Sequence, residues 1–338
     1  MPLSTFYFPH FYFLRRASAG SFPPVPLAIP DPRECGYTQT TPVPLYWAAY
    51  GMRGAPRVLV LHGGPGADHR YLLPQMLRLA DRYDLLFYDQ RGGGKSRTSA
   101  DDVVTWGTQV ADLGAVVREF GLSLPAIVGY SWGGLLAMLY TAESLSDTTL
   151  RPPGRLALID PASATREYRA AFEAEFKRRG ESEPVRAARA ELAASGLRES
   201  DPEAYRQRAF ELSVAGYFAD PTRMTQLTPF RVVGRVQRTV WESLNDYNLL
   251  PALARARARL GVPALVVHGR EDPIPLASSA AVAEALGGEL VVIEGSGHVP
   301  YVERPEMLFS ALERFLAPIQ PMAPDSGASG RSSPATRS

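Results

Sequence analysis

The chain has 338 residues, 45% of them hydrophobic and 21% charged, enough to bury a large core in one big domain or two unequal parts. Lysine and arginine together number 36 against 35 acidic residues, a net charge of +1, so no global field favours nucleic acid or an anionic membrane, and partners must be sought in a site. The single cysteine, Cys35, excludes an internal disulfide and a multi-cysteine zinc cluster; it is read as a buried thiol in a reducing, cytoplasmic setting.

In chain order, the aromatic start "MPLSTFYFPHFYFLRRASAG" places its arginines after the apolar run and interrupts that run with Pro9 and His10, the reverse of a secretory signal. Residues 1–25 are therefore expected to be a loosely held extension. Short β-branched or apolar runs follow at 57–63, 84–89, 125–130, 155–160, 263–269 and 289–295, separated mostly by helical stretches such as "VADLGAVVREFG" and "SSAAVAEALGG". Such alternation predicts an α/β fold, a doubly wound and mostly parallel sheet with helices on both faces. The interval 162–250 has no clear strand; its helix starts at "SEPVRAARAELAASG" and "SDPEAYRQRAFELS" set Ser or Asp before a first-turn proline. It is expected to be a helical cap inserted into a core made of 26–161 and 251–318. The Pro/Gly/Ser-rich end, 319–338, has nothing to bury and is expected to be disordered. No apolar run reaches the ~20 residues of a membrane-spanning helix.

Chemistry in such a sheet collects in the loops beyond the carboxyl ends of the strands. Those loops read "HGGPG", "DQRGGGKS", "GYSWGG", "GREDPIP" and "GSGHVP". In the third, Ser131 stands on a strand-to-helix junction between Gly129 and Gly133. A serine there is held in a strained backbone that presents its hydroxyl, and its neighbours two before and two after must be small because strand and helix crowd together. The positive end of the following helix favours negative charge developing nearby. "GGGKS" ends like a phosphate-binding loop, but the position that needs that loop's first glycine is Asp89. A dinucleotide fingerprint is absent, as is any H-x-x-x-H or H-E-x-x-H spacing among the five histidines, so neither cofactor nor catalytic metal is expected.

Gly129-Tyr130-Ser131-Trp132-Gly133 resembles the G-x-S-x-G nucleophile elbow of the α/β-hydrolases. That resemblance implies a triad in the order serine, acid, histidine. Of the two histidines after Ser131, His268 lies inside a strand end and reads as structural, whereas His298 sits in a late glycine loop and is taken as the base. The family's G-x-x-D pattern falls on Asp272, with Glu271 as a solvated neighbour. The resemblance assigns the two oxyanion donors to the amides of Trp132 and Gly64.

Together the five loops resemble the prolyl aminopeptidase (proline iminopeptidase) branch, from about residue 42 to 316. That branch implies release of an N-terminal proline, or another small apolar residue, from peptides or amides through an acyl-enzyme. The expected partner is thus a small molecule or short peptide. Serine at position 131 argues against haloalkane dehalogenase and epoxide hydrolase relatives, which use aspartate there. Esterase, lactonase and carbon–carbon hydrolase activities fit the same machinery, and a non-catalytic ligand-binding relative could retain the fold. An aminopeptidase must hold a free ammonium; Glu211 and Glu242 in the cap are the candidates, each open to the alternative of a solvated helix-face carboxylate.

Overall fold

The computed structural model describes residues 29–317. The expected extension 1–25 and tail 319–338 lie outside the described residues. Among them eight strands form one sheet: β1 (Glu34–Tyr37), β2 (Tyr46–Tyr50), β3 (Arg57–Leu61), β4 (Asp84–Tyr88), β5 (Ala126–Tyr130), β6 (Arg155–Ile159), β7 (Ala264–Gly269) and β8 (Glu289–Ile293). Their order is β1-β2-β4-β3-β5-β6-β7-β8, with β1 and β2 antiparallel to their neighbours and every pair from β4 to β8 parallel. The six predicted runs correspond to β3 through β8. The two antiparallel strands are additional, and they were hidden by composition: "ECGY" shows no apolar pattern, and "YWAAY" is too short and alanine-rich to stand out.

Parallel strands need long crossovers, and helices supply them. Helix α1 (Trp106–Glu119) joins β4 to β5, and α2 (Trp132–Glu143) joins β5 to β6. Between β6 and β7 lie α3 (Arg166–Gly180), α4 (Glu183–Ala194), α5 (Leu197–Ser200), α6 (Pro202–Val214), α7 (Gly234–Leu244) and α8 (Leu250–Leu260). Helix α9 (Leu276–Leu286) precedes β8, and α10 (Pro300–Glu303) and α11 (Pro305–Leu316) close the described chain. The caps are local and chemical. Thr105 and Thr108 form a reciprocal capping box on α1, and Asp201 accepts from the Ala204 amide just before the first-turn Pro202 of α6.

Alternate side chains of the central strands feed two separate cores. Val58, Val60, Phe87, Val128, Ile159 and Val267 pack on one face with α11, whereas Leu59, Leu61, Tyr88, Ile127, Leu158 and Val266 pack on the other with α1, α2 and α9. Each such aliphatic side chain contributes about 1.5–3 kcal/mol by leaving water. Helix α2 is buried from Trp132 through Thr141, as its nearly continuous apolar sequence requires.

The segment between β6 and β7 leaves and returns at one place. A bridge pairs Thr165 with Asn248, the Arg166 amide donates to the Tyr247 carbonyl, and the Tyr247 hydroxyl donates to the Ser163 carbonyl. Cys35 departs from expectation: it is exposed on β1, which among the described residues pairs with β2 alone. Among the described residues no helix is long and apolar enough to cross a membrane.

The loop after β4 is tied to α1 by a buried fork: Arg91 Nε and Nη2 donate to the two carboxylate oxygens of Asp112 at 2.7 and 2.5 Å. Removing one partner strands a buried charge. Asp112→Ala should therefore lower the unfolding free energy by about 3–5 kcal/mol, read from denaturant midpoints; a loss below about 1 kcal/mol would show that the loop does not depend on the pair.

Candidate active site

Strand β5 ends at Tyr130 and α2 begins at Trp132, so Ser131 alone makes the turn, with φ 53° and ψ −118°. Side-chain-bearing residues rarely adopt that backbone. It is held by the Ser131 amide donating to the Ile159 carbonyl at 3.0 Å and by the Ser131 carbonyl accepting from the Gly134, Leu135 and Ala162 amides. The flanking glycines are a steric necessity. A Cβ at Gly129 would lie 2.6 Å from the Gly133 carbonyl oxygen, and one at Gly133 would lie 2.2 Å from that of Leu61.

The half-buried Ser131 Oγ lies 3.0 Å from His298 Nε2, and His298 Nδ1 lies 2.8 Å from Asp272 Oδ2. Because a carboxylate can only accept, Nδ1 carries the imidazole proton and Nε2 is free to accept from the serine hydroxyl. The other carboxylate oxygen, Oδ1, accepts from the Ile274 amide at 2.7 Å. Burial pushes the His298 imidazole well below its ordinary range, which favours the free base. It pushes Asp272 upward, opposed by the hydrogen bond from the Ile274 amide.

The histidine is clamped by its own main chain. Its amide donates to the Tyr217 carbonyl at 2.7 Å, its carbonyl accepts from the Tyr130 hydroxyl at 2.9 Å, and the Tyr217 ring stacks on the imidazole with centroids 4.9 Å apart. Glu271 is half-buried rather than solvated: its carboxylate accepts from the Ser296 amide and its carbonyl from Arg179, so it braces the histidine loop. His268 is buried beside Ser279, 2.8 Å away, and makes no hydrogen bond with Ser131.

On the other side of Ser131 runs the "HGGPG" loop, close enough that a Cβ at Gly63 would sit 3.0 Å from that of Ser131. His62 Nε2 accepts from the Gln90 amide, so Nδ1 holds the proton and donates to the Gly63 carbonyl at 2.7 Å. That bond orients the peptide unit whose N–H belongs to Gly64. Tyr71 accepts from the Gly63 amide, and Asp89 accepts from the His69 amide and imidazole and from the Lys95 amide. The "DQRGGGKS" loop is thus a brace for "HGGPG". Among the described residues neither the Gly64 nor the Trp132 amide donates to a protein acceptor, the latter because it opens α2.

The two cap carboxylates have different surroundings. Glu211 is buried and already accepts from Arg208 Nη1 at 2.9 Å and Gln207 Nε2 at 3.1 Å, both on its own helix. Glu242 is exposed and lines a cavity of about 380 Å³ with Arg166, Arg169, Glu173, Trp241 and Tyr247, the Arg169 guanidinium lying 3.3 Å above the Trp241 ring centroid. Neither bonds to Ser131, His298 or Asp272.

Asp160 escaped the sequence reading although it ends the run "RLALID", at the strand end where chemistry collects. With Asp272 and His298 it is the one group of three metal-type donors brought within 4.8 Å among the described residues. The bonding atoms of Asp272 and His298 are taken up by each other and by the Ile274 amide, so the set suits a proton better than a metal. Tyr71, Tyr217 and Glu303, which accepts from the Gly297 and Asp220 amides, have no local sequence signal; tertiary folding alone brings them here.

Residues 58–311 match the alpha/beta hydrolase family. A proline iminopeptidase of Lactobacillus helveticus is 27% identical over 294 residues, spanning 80% of this chain and 93% of its own length. Among solved structures, a proline iminopeptidase of Mycobacterium smegmatis superposes with a TM-score of 0.60 at 20% identity, covering 83% of this chain and 97% of that one. An alpha/beta fold family hydrolase of Bacillus anthracis gives 0.63 at 18%, covering 84% and 99%.

The crowding at the turn has a measurable consequence. Gly133→Ala drives a methyl group into the Leu61 and His62 carbonyls, main-chain atoms that cannot step aside without moving β3. The variant should lose at least about 1–3 kcal/mol of stability in thermal unfolding. An unchanged melting temperature would mean that the turn has slack.

Proposed function

The chain belongs to the alpha/beta hydrolase family, and on that premise we propose that it is a serine hydrolase with Ser131 as nucleophile, His298 as base and Asp272 as orienting acid. One observation carries the reading: an unbroken hydrogen-bond chain, Ser131 Oγ to His298 to Asp272, runs beside two undonated amides. Attack by Ser131 on a carbonyl transfers the hydroxyl proton to Nε2, and the imidazolium is stabilised by Asp272. The oxyanion accepts from the Gly64 and Trp132 amides, with the start of α2 adding its dipole. His298 then protonates the leaving group and activates water to release the acid.

For the substrate, the proposal is an amide or peptide bearing an N-terminal proline or another small apolar residue. The 27% identity to a proline iminopeptidase across most of both chains supports it. A second reading, hydrolysis of an ester or lactone by the same residues, is favoured by Glu211: its carboxylate is already matched by Arg208 and Gln207, which leaves it little capacity for a substrate ammonium.

Two measurements test these levels separately. A fluorophosphonate probe should label the native protein at Ser131, and Ser131→Ala should abolish both the label and hydrolysis, on the order of 10⁶-fold in kcat, without loss of folding. Absence of label on the native protein would leave a ligand-binding relative instead. Proline β-naphthylamide should be cleaved and its N-acetyl form resisted by roughly a hundredfold or more, because acetylation removes the charge by which an aminopeptidase holds its substrate. Equal rates on the two amides, or cleavage of p-nitrophenyl acetate alone, would discard the peptidase assignment and keep the serine hydrolase.

A further inference from the structure

Beside His298 two buried carboxyl groups converge, each bringing an oxygen within 4.8 Å of the other and of a His298 ring nitrogen. Asp160 is fully buried at the end of β6, with φ 40°, and the Asp272 side chain is fully buried too. Two buried carboxyl groups this close resist being ionised together when no cation lies between them. The surroundings decide which keeps the charge. Asp272 receives two donors, the Ile274 amide and the His298 Nδ1–H. Asp160 receives one, the Gly269 amide at 2.7 Å on Oδ1, while its Oδ2 is buried with no conventional donor. An oxygen that must accept beside an oxygen that lacks a donor is the pattern of an asparagine or of a protonated acid, not of a carboxylate.

We propose that Asp160 is a positioning residue for the triad: it stays protonated and donates its Oδ2–H to Asp272, fixing that carboxylate as the acceptor for His298. The inference rests on the serine-hydrolase reading of the site and deepens it. One carboxylate oxygen of Asp160 lies within 4.8 Å of one of Asp272, and Asp160 is pushed far above the carboxylate range by burial first and by the Asp272 charge second. The groups facing the pair from each packed element are consistent with one proton between them. His268 on β7 has Nδ1 3.7 Å from Asp160 Oδ1 and is itself held neutral by burial. Glu303 of α10 adds a further unfavourable field at Asp272, and Arg179 of α3 lowers it again. No cation hydrogen-bonds to Asp160 among the described residues. The proton resolves what would otherwise be an orphaned buried oxygen next to the charge on which the histidine depends.

The test compares Asp160→Asn, which keeps one acceptor and one donor, with Asp160→Gly, which suits the positive φ but removes the donor. In kcat/KM against pH, the asparagine variant should retain the native acid limb and a kcat within about tenfold of native, rescuing the function through its NH₂ group. The glycine variant should raise the acid limb, since Asp272 becomes more basic without its donor, and lose on the order of 10–100-fold in kcat, the worth of a hydrogen bond to a charged group. Were Asp160 ionised, Asp160→Asn would remove a negative charge near His298 and lower the acid limb by roughly one to three pH units; that result overturns the proposal. So does a glycine variant indistinguishable from native.

A second readout needs no turnover, and so separates failure of this inference from failure of the hydrolase assignment. Infrared difference spectra in a Ser131→Ala background at pH 8 should show the C=O stretch of a protonated buried carboxyl, lost in Asp160→Asn and retained in Asp272→Asn. The reverse pattern, or no such band, refutes it.

Discussion

A chain that passes from strand to helix within one residue has no room for a side chain two places either side of the turn. That constraint governs the rest of the molecule. With Gly129 and Gly133 stripped to their backbones, α2 sits down on β3 and β5 closely enough for the Leu61 carbonyl to touch it. Ser131 is then pinned from three directions, by Ile159 of β6, by the first turn of α2 and by Ala162. Everything else in the site approaches a fixed point. The "HGGPG" loop can reach it because β3 lies next to β5, and Asp160 because β6 lies on the other side. The strain is sustained by two cores, one on each face of the sheet, whose burial far exceeds the few kcal/mol stored in a single unfavourable φ.

Polar groups inside this apolar frame are arranged in braces. His62 links the Gly63 carbonyl to the Gln90 amide, Asp89 gathers His69 and Lys95, and Glu303 gathers Gly297 and Asp220. Each brace uses a side chain to satisfy main-chain donors of a loop that has no secondary structure of its own. Loops so tied behave as rigid parts, and rigidity is what a preorganised site requires, since amides that must rotate into place contribute little to stabilising a developing charge.

How much of this was readable beforehand follows from the range of the signal. The parallel strands announce themselves by consecutive β-branched residues and Ser131 by a glycine-marked loop at a strand end, while His298 and Asp272 are picked out through the family resemblance. These signals are local. Asp160 carries no flanking glycine, and its importance comes from the pairing of β6 with β7, which sets Ile159 opposite Val267 and so delivers residue 160 to the Asp272 loop. Glu271 read as solvated because its neighbours in the chain are polar; the structure turns it toward Ser296 instead. The edge strand β1 and its exposed Cys35 were unreadable for a related reason, since a half-covered strand of four residues has too few buried positions to show a period. The cap glutamates mark the far limit: residue type suggested an ammonium ligand, but partners on the same helix decide whether the charge is available.

The stacking of Tyr217 on His298 bears on how such a molecule could acquire new substrates. Tyr217 belongs to the inserted helical segment, yet its carbonyl holds the amide of the histidine and leaves no space for a Cβ at Gly297, 2.1 Å away. The segment between β6 and β7 is therefore part of the histidine's mounting. Exchanging it wholesale at the Thr165–Asn248 bridge for a relative's insertion would discard that mounting, unless the short turn Ala215–Tyr217 were carried across unchanged. Diversification is steered toward replacing individual lining side chains on a retained main chain. By the same geometry, any displacement of this turn also releases the amide of His298.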